Sequence, residues 1–139
     1  MNQKQNIVLD SCVVIDVIEK PKVASRLKAS LRGKSVNIIL CDIVLEEVNR
    51  VRKITPETII TKITNILKRK IILSKITIEE KIYALKISEQ FQICHNGDNK
   101  ILSLCKTKDF ILVTFDKMLL KASEFMGIQV FSPFTVRGI

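Results

Sequence analysis

Apolar residues follow two alternating rhythms along this chain: short unbroken runs, and stretches in which they recur every three or four positions. The first run, Asn6-Ile7-Val8-Leu9, predicts a strand ending at Asp10, and residues 12–19 predict a short helix. Pro21 is suited to open a second helix reaching Leu31, with Gly33 as its break. Val36–Cys41 reads as another strand, and Asp42 has the chemistry to N-cap a helix through Val44, Val48 and Val51. Thr55-Pro56-Glu57 starts the next helix, with Ile59, Ile60, Ile63, Ile66 and Leu67 on one face. A brief strand over Lys70–Leu73 precedes a helix in which Thr77 and Glu80 form a capping box, with Ile78, Ile82, Leu85 and Phe91 turned inward. Helix 97–106, strand 110–115, helix 117–126, a break at Gly127 and strand 128–131 complete the order. Strands alternating with helices predict an α/β fold, with a mostly parallel central sheet covered on both faces.

With four Gly, three Pro and no internal repeat, the connections should be short, and residues 1–139 read as one domain. No apolar run approaches the roughly 18 residues needed to cross a bilayer. The opening MNQKQNIVLD lacks the apolar segment of a secretory signal, so the expected location is the cytoplasm. Cys12, Cys41, Cys94 and Cys105 form no C-x-x-C pair, and three of them sit in apolar surroundings, so they read as reduced core or near-core thiols. Cys94-His95 with Cys105 makes a poor zinc site, because a fourth ligand is missing and adjacent ligands suit tetrahedral geometry badly. His95 is the only histidine and reads as a loop residue, which excludes any mechanism that needs two.

A net charge of +9 points to a polyanionic partner, nucleic acid first, with general solubility as the plain alternative. The positive residues recur at Arg50, Arg52 and Lys53, at Lys68-Arg69-Lys70, and at Lys100, Lys106 and Lys108. Aromatic residues are only 5% of the chain and Trp is absent, so contacts to phosphate fit better than base stacking.

The carboxylates sharpen the picture. In parallel α/β folds ligands bind beyond the carboxyl ends of the strands, which is where Asp10 and Asp116 fall. Asp98 opens the helix whose Ile101 and Leu102 share its face. The helix after Asp42 offers Glu46 or Glu47. Glu46 is spaced for an exposed ion pair with Arg50, whereas Glu47 has Val44 at i−3 and Val51 at i+4, on the stripe expected to face the core. Glu47 is therefore preferred. Each acid also has a bland reading. Asp10 and Asp116 would cap the following helices, Asp98 would sit in a helix's first turn, and Glu47 would be solvated. Asp16 is expected on the exposed side of its helix. Four carboxylates on an apolar floor would repel one another, and a hard divalent cation, Mg²⁺ or Mn²⁺, would resolve the conflict.

In order and spacing, "IVLDSCVVID", "IVLEEVNRV", "GDNKILSLC" and "ILVTFDKMLLKASEFMGIQV" resemble the acidic motifs of the PIN domain, the metal-dependent ribonuclease fold of VapC-like toxins and RNA-processing nucleases. The resemblance runs from Ile7 to about Pro133. It implies a three-layer PIN-like sandwich in which Asp10, Glu47, Asp98 and Asp116 bind Mg²⁺ or Mn²⁺ and serve catalysis, with Thr114 as the hydroxyl of a T-x-D element. The implied reaction is endonucleolytic hydrolysis of RNA, leaving a 5′-phosphate and a 3′-hydroxyl. One departure stands out: where the family often has Ser, Thr or Asn, two residues after the first Asp, this chain has Cys12, and Ser11 is expected to point elsewhere. The small bare domain favours a toxin with a protein antitoxin. The alternatives are an RNA-processing or ribosome-maturation nuclease, and a non-catalytic RNA-binding module with a degraded site. A flavodoxin-like phosphatase or nucleotide regulator ranks lower, since no Gly-rich phosphate loop is present. The family resemblance also implies a homodimer, with helices 57–69 and 78–91 offering the apolar surface for it or for an antitoxin.

Overall fold

The computed structural model describes residues 4–91 and 97–136; the expectations for Cys94 and His95 lie outside them. Among the described residues, one sheet of five parallel strands runs in the order β3-β2-β1-β4-β5. These are β1 (Gln5–Leu9), β2 (Val36–Cys41), β3 (Ile71–Ser74), β4 (Ile111–Val113) and β5 (Val130–Phe131). The central strand β1 pairs on both sides, Ile7 with Ile38 and Ile111, Val8 with Ile39 and Leu112. Ile7, Val8 and Leu9 have no exposed surface, which is why this run is apolar on both faces.

Among the described residues, seven helices flank the sheet in two groups. In the first, α1 (Ser11–Glu19), α2 (Pro21–Ser30), α3 (Asp42–Arg52) and α4 (Pro56–Leu67) contact one another. In the second, α6 (Asp98–Lys108) packs on both α5 (Ile78–Phe91) and α7 (Lys117–Met126). The chain builds outward from β1 through β2 to β3, then crosses to β4 on the other side of β1. That reversal places the topological switch point between the carboxyl ends of β1 and β4, where a crevice opens in folds of this kind.

Several expectations need correction. Ile78, Ile82 and Leu85 do not face inward; they are 71%, 55% and 65% exposed. The capping box itself explains this. Thr77 N donates to Glu80 Oε1 at 2.8 Å and Glu80 N donates to Thr77 Oγ1 at 3.1 Å, drawing Glu80 into the interior with Ala84 and Ile87. Small and polar groups then let α5 approach α6 closely. Ser103 Oγ donates to the Glu80 carbonyl at 2.6 Å, and Asn99 Nδ2 reaches the Ala84 carbonyl at 3.1 Å. Phe91 is half-buried, edge-on to Phe125 at 5.4 Å.

Asp42 is the first residue of α3 rather than its N-cap, which is Cys41. Its Oδ1 accepts from Ile43 N and from Ile76 N, so it ties the start of α3 to the approach to α5. Val51 is exposed. Strand 110–115 shortens to Ile111–Val113, because its pairing with β1 covers only those three residues. In α4, Ile59, Ile63 and Leu67 are buried while Ile60 and Ile66 are half-buried at its flanks. Among the described residues, no helix is long and apolar enough to cross a membrane.

Candidate functional site

Asp10 leaves β1 at the switch point and is almost fully buried. It N-caps α1, its Oδ1 accepting from Ser11 N at 2.8 Å, so the capping reading of this residue is realised. Its other oxygen looks across to β4, where Thr114 Oγ1 donates to Oδ2 at 2.9 Å. The same hydroxyl accepts from Asp116 N at 3.0 Å. Thr114, itself without exposed surface, thus clamps the chain between the two acids. Asp116 caps α7, accepting from Met118 N and Leu119 N, and both bonds fall on Oδ1. Its Oδ2 takes no part in the cap.

Glu47 reaches the same region from α3. Its Oε2 accepts from Ser11 Oγ at 3.0 Å. This corrects the expectation for Ser11, which is buried and points at the acid rather than away from it. Cys12, one residue on, is the exposed one. Asp10 as cap fixes how α1 leaves the strand, and that exit angle places Ser11 against α3. Cys12 is therefore not a core thiol, whereas Cys41 and Cys105 are buried. Burial pushes the Cys41 thiol up to about 11. The choice of Glu47 over Glu46 agrees with its partial burial, although exposed Val51 removes one leg of that argument. Glu46 and Arg50 form no ion pair; those among the described residues join Asp16 to Lys20 and Glu19 to Arg52. Asp16 is half-buried at the rim of α1.

Asp98, the first residue of α6, is buried. The turn before it brings α6 against α3. Gly97 has φ +101°, and a Cβ added there would stand 2.8 Å from Ile43 Cγ2, so only glycine permits that approach. Glu46, Glu47, Arg50, Gly97 and Lys100 line an open groove of about 250 Å³ between the two helices. Basic side chains therefore stand beside the acids, where a polyanion would need them.

The electrostatics show strain between like charges. The Asp10 carboxyl lies above its ordinary value, first because burial disfavours the charged form, and also because Glu47 and Asp116 repel it. Hydrogen bonds from Thr114 and Ser11 oppose that rise without cancelling it. Asp10 is thus near enough to Glu47 and Asp116 to feel both, and Asp98 is buried at the start of α6. Among the described residues, no three His, Cys, Asp or Glu side chains are already close enough to hold an ion. The donor chemistry nevertheless suits a hard divalent cation: oxygen-only ligands, one deeply buried, in mutual repulsion that positive charge would relieve.

A family model described as PIN domain matches residues 7–124. Among solved structures, the chain is similar to VapBC2 from Rickettsia felis bound to a DNA fragment from its promoter, with 19% identity over 92% of this chain and 98% of that one, at a TM-score of 0.69. It is also similar to VapBC-1 from nontypeable Haemophilus influenzae, with 14% identity over 93% and 98% at a TM-score of 0.67. A FitAB complex bound to a DNA fragment gives 17% identity over 95% and 98%, again at 0.67. At such identities these likenesses speak for the fold. No curated protein is matched.

Proposed function

Since the chain belongs to the PIN domain family, we propose that it is a divalent-metal-dependent endoribonuclease, the toxin of a toxin–antitoxin pair. PIN domains are generally nucleases, and the VapBC and FitAB likenesses support the toxin assignment and a protein antitoxin as partner. The observation that carries the reading is the Asp10 site: a carboxylate at the switch point, held by Thr114 and raised first by its burial and further by Glu47 and Asp116. A structural aspartate would gain nothing from such neighbours.

In this reading Asp10, Glu47, Asp98 and Asp116 hold Mg²⁺ or Mn²⁺, which when bound lowers the pKa of water and offsets charge growing on the phosphate. The remaining work falls to the chain itself. The Thr114 hydroxyl fixes the Asp10 carboxylate, and the Ser11 hydroxyl fixes Glu47. The amino end of α7 holds Asp116 by one oxygen. Arg50 and Lys100 flank the groove where the RNA backbone would lie.

The test is incubation with structured and unstructured RNA in Mg²⁺, Mn²⁺ or chelator, followed by end analysis. Cleavage only with metal, leaving 5′-phosphate and 3′-hydroxyl ends, is the expected result; metal-independent cleavage or none overturns it. A second reading, a PIN-like RNA-binding module without activity, draws on the absence of a ready-made ion cluster among the described residues. RNA binding with no cleavage in any metal would favour it.

The hydroxyl beside Glu47 yields a sharper expectation. Ser11→Ala should lower cleavage about tenfold, as loss of a group that orients a ligand does, while Cys12→Ser leaves the rate unchanged. The reverse order in steady-state rates would move the supporting role from Ser11 to Cys12.

A further inference from the structure

The sheet has a second pole. Its strand order sets the starts of β1, β2 and β3 side by side, at the end opposite the acids. The residues leading into those strands are basic. Lys4, Lys34, Ser35, Lys68, Arg69 and Lys70 line an open groove of about 400 Å³. Arg69 builds the groove rather than offering itself to a ligand: its guanidinium donates to the Leu31 carbonyl at 2.6 Å and also to that of Lys34. This bond pins the approach to β3 against the approach to β2, and so brings two basic segments together. Lys4, Lys68 and Lys70 are exposed and Lys34 is partly so. None is ion-paired among the described residues.

The two segments that build the groove carry no acidic residue. No Asp or Glu occurs from Lys20 to Cys41, a stretch with six Lys or Arg, nor from Thr58 to Ile78, which has five. The catalytic acids do not cancel this potential either. A strand rises about 3.3 Å per residue, so the length of β2 separates the poles by roughly 17–20 Å. That is about twice the Debye length at physiological salt. Among the described residues, the lining contains no aromatic ring for stacking and no carboxylate to accept from a base. Four ammonium groups in such a setting recognise backbone phosphates, not sequence.

We propose that this groove is a second RNA-backbone site, which grips part of the substrate remote from the bond to be cleaved. A strand that occupies both poles must reach around the molecule. The favoured substrate is therefore a folded or long RNA rather than a short oligonucleotide. This deepens the ribonuclease reading and rests on it for the choice of RNA as the polyanion.

The test compares two triple variants of equal charge change. Lys34→Gln/Lys68→Gln/Lys70→Gln removes the groove and leaves Arg69 in place. Lys81→Gln/Lys86→Gln/Lys121→Gln removes exposed lysines of α5 and α7. Binding is measured in chelator, so that cleavage plays no part, with a labelled 40-nucleotide hairpin RNA and a DNA duplex, across a salt series. The groove variant should bind the hairpin about tenfold more weakly at low salt, with the slope of log affinity against log salt reduced by about 2. The control variant should change by less than half as much. Loss of hairpin affinity supports the proposal, whether or not DNA binding falls with it. Equal losses in both variants, or loss confined to the DNA duplex, overturn it. In the presence of metal, the groove variant should cleave a six-nucleotide RNA at the normal rate and the hairpin more slowly. If no variant cleaves anything, the ribonuclease reading fails while the chelator measurement still decides the groove.

Discussion

Asp10→Asn is expected to lower metal-dependent RNA cleavage about 1,000-fold or more, because it removes charge that the transition state needs at a fixed position. The fold should survive. Asparagine keeps the size of the side chain and an oxygen that can accept from Ser11 N, as Asp10 Oδ1 does. Stability gives an independent readout. In the metal-free protein the Asp10 carboxyl lies above its ordinary value of 3.8, chiefly through burial. A raised acid contributes stability that is fully present below the unfolded pKa and is lost as pH rises through the folded one. The urea midpoint of the Asn variant should therefore gain on that of the wild type as pH rises from about 4 toward 7. Adding Mg²⁺ at ten times its dissociation constant should stabilise the wild type by about 1.4 kcal/mol. The resulting rise of about 3–6 °C in Tm should be missing from the variant. Undiminished cleavage by Asp10→Asn, or an equal thermal shift in both proteins, would remove Asp10 from the site.

How far the sequence could foretell this site depended on which physical signal each residue carries. β2 was readable at both ends, because its buried run Ile38-Ile39-Leu40 is apolar on both faces and Cys41 is followed at once by polar Asp42. The acids at the carboxyl ends of β1 and β4 were equally legible, since turn chemistry and charge coincide there. The inward face of α5 was not. Two stripes compete on that helix, and hydropathy favours Ile78, Ile82 and Leu85 over Glu80, Ala84 and Ile87. Capping geometry and close helix approach decided otherwise, and neither contributes to an apolar count. The direction of Ser11 was misread for a related reason. Neighbours in a helix point about 100° apart, so the choice between them rests on the direction in which α1 departs from β1, a tertiary fact. The basic groove shows the same limit. Lys68-Arg69-Lys70 stands out in one dimension, but its meeting with Lys4 and Lys34 requires the strand order.

The T-x-D element provides the second large effect. Thr114→Val keeps the volume but deletes a buried hydroxyl that donates to Asp10 Oδ2 and accepts from Asp116 N. Each buried partner left unsatisfied costs about 1–3 kcal/mol, so a loss of roughly 2–4 kcal/mol is expected in chemical denaturation. Cleavage should fall about 10- to 100-fold, in the range found for groups that orient metal ligands. Thr114→Ser retains the hydroxyl and gives up one methyl, and should lose about 1 kcal/mol with the rate changed only a few-fold. These two variants separate chemistry from packing, because a merely structural threonine would suffer more from losing its methyl than its hydroxyl. The pH profile separates them again. The Thr114 bond lowers the Asp10 pKa, so deleting it raises that pKa further above 3.8. The acid limb of the cleavage profile in the Val variant should therefore shift to higher pH, while that of the Ser variant stays with the wild type. A Val variant with an unmoved acid limb would mean that the hydroxyl serves the backbone of Asp116 alone, and that the two acids are not coupled through it.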